Sequence, residues 1–126
     1  MACSGLVAER DPLPDAAPFR AIAEPAERLR AGLRALYDWY ERNAQLAGCV
    51  LRDAEHHALV GEISGLRFGV PIAALGDVLG AKLNARQRAL LGLALSFFTW
   101  RTLVRDGGLK QRAAVEAMVQ AVDRAG

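Results

Sequence analysis

The sequence is short of what builds a β-sheet, a disulfide scaffold, a membrane span or a nucleic-acid footprint. Aromatic residues make up 6% of it, and β-branched residues are outnumbered by leucine and alanine, a balance that favours helix over sheet. The two cysteines, Cys3 and Cys49, stand far apart in the chain. That is too few for a disulfide framework, and both are expected as free thiols in a reducing cytosol. No apolar run approaches the roughly 20 residues needed to cross a bilayer. The N-terminus lacks the charged stretch and apolar core of a signal peptide. Basic residues are scattered among acidic ones for a net charge of +2, without the Lys/Arg block a nucleic-acid surface needs. Together these absences lead to the expectation of a cytoplasmic, globular, helical chain with no membrane partner.

What is present fits that expectation. At 126 residues, 52% of them apolar, the chain has room for one domain with a real core. Three prolines, at 12, 14 and 18, predict an extended linker. Pro25 then opens a helix at a position where its missing N–H costs nothing. Leu29, Leu33, Leu36 and Tyr40 fall on one face of it, while Arg28, Arg30, Arg34 and Glu41 fall largely on the solvated side. A second segment is predicted from about Gln45 to His56. A third pattern runs from His57 to about Ala81, with a kink or break expected near Arg67 to Val70, where Pro71 removes an intrahelical bond. Gly61, Gly65 and Gly69 share a face there. They make either a weak helix or a surface that another helix or a ligand approaches closely.

Asn84 and Gln87 read as a capping box opening a helix predicted over 84–106, whose run Ala89 to Phe98 is apolar nearly all round. Gly107 and Gly108 suit a left-handed C-cap. A last helix, over 110–125, carries Val115, Met118, Val119 and Val122 on one face and Ala114, Ala117 and Ala121 beside them. The fold class is therefore all-α, an antiparallel bundle of about five to six helices.

Few residues carry reaction chemistry. Asp53, Glu55, His56 and His57 could supply two ligands from one helix face, but zinc wants three or four, so no metal site is expected. A dyad of Cys49 with His56 or His57 lacks an orienting third group. No glycine loop follows a strand to cradle phosphate. Neither catalytic residues nor a cofactor are expected. Trp39, Tyr40, Phe68, Phe97, Phe98 and Trp100 come from different helices and either pack a core or wall an apolar cavity.

Three stretches carry a family resemblance. ACSGLVAERDPLPDAAPF with AEPAERLRAGLRALYDWYERN resembles the segment leaving the linking helix of TetR-family transcriptional regulators and entering their first core helix. GCVLRDAE resembles the short helix that follows, and RALLGLALSFFTWRTLVRDGGL with the helix after it looks like their paired dimerisation helices. The chain departs from the pattern at Glu24, a poorer N-cap than the usual Asp, and at Lys110, where Ser or Thr often caps. The DNA-reading helix-turn-helix is also missing from it.

The resemblance implies that residues 1–18 are the end of a linking helix and a proline-rich linker, and residues 19–126 an effector-binding and dimerisation domain. It implies a small hydrophobic or aromatic effector, in a pocket walled by Tyr40, Val50, Phe68 and Phe97 with Arg101 or Tyr37 as a polar contact. It implies a homodimer through Leu91, Leu95, Phe98, Ala114, Ala117 and Ala121. Operator DNA would be read only by a full-length form, because this chain alone has no recognition helix. The competing reading is a stand-alone helical protein–protein interaction module without ligand.

Overall fold

A computed structural model describes residues 12–56 and 70–126, and of residues 50–56 it describes only the backbone course. Everything regular among the described residues is helical. A 3₁₀ turn at Ala17–Ala21 precedes five α-helices: α1 (Pro25–His56), α2 (Val70–Leu79), α3 (Ala85–Leu95), α4 (Phe97–Trp100) and α5 (Gln111–Arg124). A π-helical turn, Arg101–Asp106, continues α4. None of these helices is long and apolar enough to cross a membrane.

Of the predicted extended linker, residues 12–15 form no regular element, and a 3₁₀ segment begins at Ala17. Pro18 lies in the first turn of the 3₁₀ segment, and Leu13, Ala16 and Phe19 pack on the core. Helix α1 begins at Pro25 as predicted. Glu24 caps it better than its residue type suggests, since its carboxylate accepts the N–H groups of Ala26 (3.1 Å) and Glu27 (2.7 Å).

The two predicted segments are present as two helical stretches that meet at a kink at Asn43 within α1. Asn43 leaves helical geometry at φ −123°, ψ 22°. Its buried side chain donates to the Trp39 carbonyl at 3.0 Å, one turn back along the helix. Before the kink, Leu29, Leu33, Leu36, Tyr37, Trp39 and Tyr40 are buried. Each such aliphatic burial contributes about 1.5–3 kcal/mol.

Arg28 corrects the helical-wheel reading. Periodicity puts it toward solvent, yet it is buried. Its guanidinium donates to the carbonyls of Ile22 (2.7 Å), Val78 (3.3 Å) and Arg20 (3.2 Å). The cause is the backbone around it: the 3₁₀ turn and the end of α2 leave carbonyls without helical partners, and one planar fork of donors satisfies three.

Helix α2 opens at Val70 with Pro71 in its first turn, the position where proline is tolerated. The stretch before it, with Gly61, Gly65 and Gly69, lies outside the described residues. Helix α3 opens with the predicted box: Asn84 Oδ1 accepts from the Gln87 N–H (2.9 Å) and Gln87 Oε1 from the Asn84 N–H (3.0 Å).

The helix expected over 84–106 is not continuous. Ser96 is extended, at φ −69°, ψ 135°, and the chain restarts at Phe97. Ending α3 there strands its last carbonyls, and two tyrosines from α1 reach them. The Tyr37 hydroxyl donates to the Ala94 carbonyl and the Tyr40 hydroxyl to the Leu95 carbonyl, each at 2.6 Å. The Ser96 Oγ accepts the Phe98 N–H at 3.2 Å and caps α4.

The π turn closes with the Gly107 N–H on the Thr102 carbonyl at 2.7 Å. Gly108 follows at φ +73°, the left-handed region where glycine has no steric penalty. Helix α5 buries Ala114, Val115, Met118, Val119 and Val122 against α1 and α3. Its Glu116 receives a two-pronged hydrogen bond from Arg30 on α1, Nε at 2.5 Å and a terminal nitrogen at 3.0 Å. Arg30 also pairs with Glu27 one turn before it.

Candidate functional site

A cavity of about 310 Å³ opens between α1, α2 and the α3–α4 joint. From α1 it is lined by Tyr40 and Ala47, from α2 by Ile72, Ala73 and Gly76, and from the joint by Gly92, Leu95, Ser96, Phe97 and Phe98. The space is a matter of side-chain size. Four of these positions are alanine or glycine, so apolar helices meet there with little volume to interdigitate. At Gly92 an added Cβ would touch nothing within 4 Å. Gly76 works differently: a Cβ there would come to 3.3 Å from a Leu95 methyl, so its absence lets α2 and α3 approach.

One wall is an aromatic cluster. The Tyr40 and Phe97 rings meet edge to face, centroids 5.3 Å apart at 78°. Phe97 also lies 5.6 Å from Trp100 and 5.7 Å from Phe98. Such pairs add about 0.5–1.5 kcal/mol beyond burial, so this wall is the rigid one. Trp100 is anchored in turn by its indole N–H, which donates to Gln111 at 3.0 Å, while Gln111 donates to Asp38.

Among the described residues, no charged side chain lines the cavity. Burial pushes the Tyr40 hydroxyl well above the ordinary tyrosine range, with the neighbouring Tyr37 adding to the effect. Burial does the same to Tyr37. Both therefore stay neutral donors to the end of α3. The described lining offers apolar surface and one serine hydroxyl, which suits reversible binding of an apolar molecule.

The structure brings together part of the expected site. Tyr40 and Phe97 wall the cavity. The Val50 side chain and Phe68 lie outside what is described. Arg101 is not in this cavity. It is exposed, with its guanidinium 4.9 Å from the Phe98 ring centre and 5.8 Å from that of Phe97, and it lines a neighbouring groove with Gln45, Trp100 and Arg105. Stacking on those rings from the solvent side keeps its charge hydrated. Tyr37 is a core residue whose hydroxyl is already used. Ile72, Ala73, Gly76 and Gly92 were not foreseen, because small aliphatic residues carry no chemical signal in a sequence.

Of the expected dimer residues, Leu91, Leu95 and Ala114 are buried within the chain itself. Phe98, Ala117 and Ala121 are at the surface, and so is the unforeseen Leu93, 54% exposed. A second groove, between α1 and α5, is polar and lined by Arg30, Arg34, Asp38, Arg112 and Glu116. The hydrogen bond from Arg30 holds the Glu116 carboxyl below its ordinary range.

Cys49 corrects the thiol reading, for it is disulfide-bonded. Distance along the chain says nothing about distance in space, and a disulfide removes the thiolate that the imagined Cys49–His dyad would need. Cys3, the only other cysteine in the sequence, lies outside the described residues, and so do His57 and the side chains of Asp53, Glu55 and His56.

Compared with known proteins, the chain matches no family model, no curated protein and no solved structure.

Proposed function

We infer that the chain is the effector-binding and dimerisation module of a transcriptional regulator of TetR type, with the Tyr40–Phe97 cavity as its effector site. The observation that carries this reading is the cavity itself: an apolar, partly open space among helices, walled by an aromatic cluster, with no charged side chain among its described lining residues. The resemblance of its α3 to α5 region to paired dimerisation helices supports the second half of the reading. So do Leu93, Phe98, Ala117 and Ala121, which lie exposed on that region. Two copies meeting through these faces would cover apolar surface that one copy leaves in water, and an isologous two-fold contact is the commonest arrangement. The chain as given reads no operator. It supplies the ligand-responsive half, in the cytoplasm, and a DNA-reading unit elsewhere would supply the rest.

The second reading, a helical interaction module without ligand, is favoured by the same exposed residues and needs no cavity. Thermal shift and sedimentation at micromolar concentration separate the two. The effector reading expects a lipophile at a hundredfold excess over its dissociation constant to stabilise the fold by about 2.7 kcal/mol. It also expects Ala73→Leu, which fills the cavity, to abolish that shift in a protein that still sediments as a dimer. A dimer that no apolar compound stabilises leaves the interaction module, and a monomer in all conditions removes the dimerisation half. A reducing cytosol would hold Cys49 as a thiol, so both measurements belong in reductant and in its absence.

A further inference from the structure

The cavity's polar groups narrow its ligand beyond an apolar preference, an inference that rests on the effector-binding reading above. An ionised ligand would meet no counter-charge from the described lining, because none of those residues is charged, and an unpaired charge is costly to bury. Size sets a second limit. The volume, about 310 Å³, is roughly twice that of an engineered cavity of about 150 Å³ that holds one benzene.

Hydrogen bonding sets the third limit. Two of the described lining side chains are polar. The single proton of the Tyr40 hydroxyl is held by the Leu95 carbonyl. At Ser96 the Oγ accepts the Phe98 N–H, and its own proton meets no acceptor among the described residues. A serine hydroxyl both accepts and donates, so one donor facing this cavity is still open. Its position is fixed, because the Ser96 N–H is tied to the Leu93 carbonyl at 3.2 Å.

We propose that the cavity takes a neutral lipophile of two-ring size bearing one hydrogen-bond acceptor, such as an aryl ketone or ester, oriented by the hydroxyl of Ser96.

The test uses three β-substituted naphthalenes of nearly equal size: acetylnaphthalene, isopropylnaphthalene and naphthoate. Each is titrated by calorimetry at neutral pH into the wild type, Ser96→Ala and Ser96→Thr. Both neutral compounds are expected to bind the wild type, with naphthoate weaker by roughly a hundredfold or more. Ser96→Ala is expected to weaken acetylnaphthalene about fivefold, the size of one net hydrogen bond, while isopropylnaphthalene is unchanged. Ser96→Thr restores the ketone. Unchanged hydrocarbon binding also shows that the alanine variant still folds around the cavity despite losing its cap on α4.

Equal weakening of both neutral compounds would overturn the proposal, leaving Ser96 a purely structural cap. Naphthoate binding as tightly as the ketone would overturn it as well. In both cases the effector reading stands. If neither neutral compound binds the wild type or any variant, the proposal fails together with the effector cavity.

Discussion

Helix α1 packs in two ways on either side of Asn43. On the N-terminal side it presents Leu29, Leu33, Leu36, Tyr37, Trp39 and Tyr40, none more than 2% exposed. On the other side Ala47 lines the cavity to which α2 and α3 contribute Ala73, Gly76 and Gly92, while Ala44 and Gly48 line the neighbouring groove beside Phe97 and Trp100. Both halves are apolar. Their difference is volume: large side chains interdigitate and close the space, whereas alanine and glycine on facing helices do not. Hydrophobicity decides that these faces are buried, and side-chain size decides which of them keeps a cavity.

Truncation at matched positions tests this difference with the largest effect. Leu36→Ala, in the closed half, is expected to cost about 2–5 kcal/mol of stability, the lost transfer energy plus a new void. Ile72→Ala, at the cavity wall and already partly exposed, is expected to cost less than half as much. Urea denaturation of the two variants measures both. Equal losses would mean that the second half is packed as tightly as the first.

The tyrosines at the boundary come next in size. Tyr37→Phe and Tyr40→Phe each leave a carbonyl of α3 unsatisfied and are expected to cost about 1–3 kcal/mol. The wild type reports the same bonds through pH. Both hydroxyls titrate above their ordinary value because they are buried, so the folded state holds their protons more tightly than the unfolded one. Their contribution is fully present below the unfolded value of about 10 and is lost as pH rises from there through the raised folded-state values. These are the chain's only tyrosines, so phenolate absorbance reads no others. It is expected to rise together with the loss of helical circular dichroism. Gradual ionisation near the ordinary value in a protein that keeps its helices would show that the two bonds do not hold α3.

The closed half was far more legible in the sequence than the open one. The start at Pro25, the stripe Leu29–Leu33–Leu36–Tyr40, the Asn84–Gln87 box and the last helix all follow from local rules that tertiary structure leaves in force. The break at Ser96 does not. The run from Ala89 to Phe98 is good helix sequence throughout, and what stabilises its interruption arrives from Tyr37 and Tyr40, more than fifty residues away. Arg28 was misplaced for a related reason, because its partners are carbonyls that only the folded chain brings around it. At the site, Tyr40 and Phe97 stood out as aromatics. Gly92 and Ala73 could not, since their part is to be small opposite something else small.

The smallest expected effect has opposite signs in the two halves. Gly32 and Gly92 both lie inside helices, and neither has positive φ. By backbone alone, alanine at either position should stabilise by about 0.5–1 kcal/mol, because glycine loses more conformational freedom on folding. Their surroundings differ. A Cβ at Gly32 would lie 2.6 Å from both methyls of Leu79 and 3.1 Å from its Cγ. Leu79 is itself buried, so it can yield only by disturbing the contact between α1 and α2. Overpacking of this kind costs about 1–3 kcal/mol, which exceeds the backbone gain. A Cβ at Gly92 meets nothing within 4 Å, so the backbone gain there is unopposed. Gly32→Ala is therefore expected to lower the melting temperature and Gly92→Ala to raise it, each by a few degrees. A Gly32→Ala variant as stabilised as Gly92→Ala would mean that the closed half has slack, and side-chain volume would no longer explain where the cavity lies.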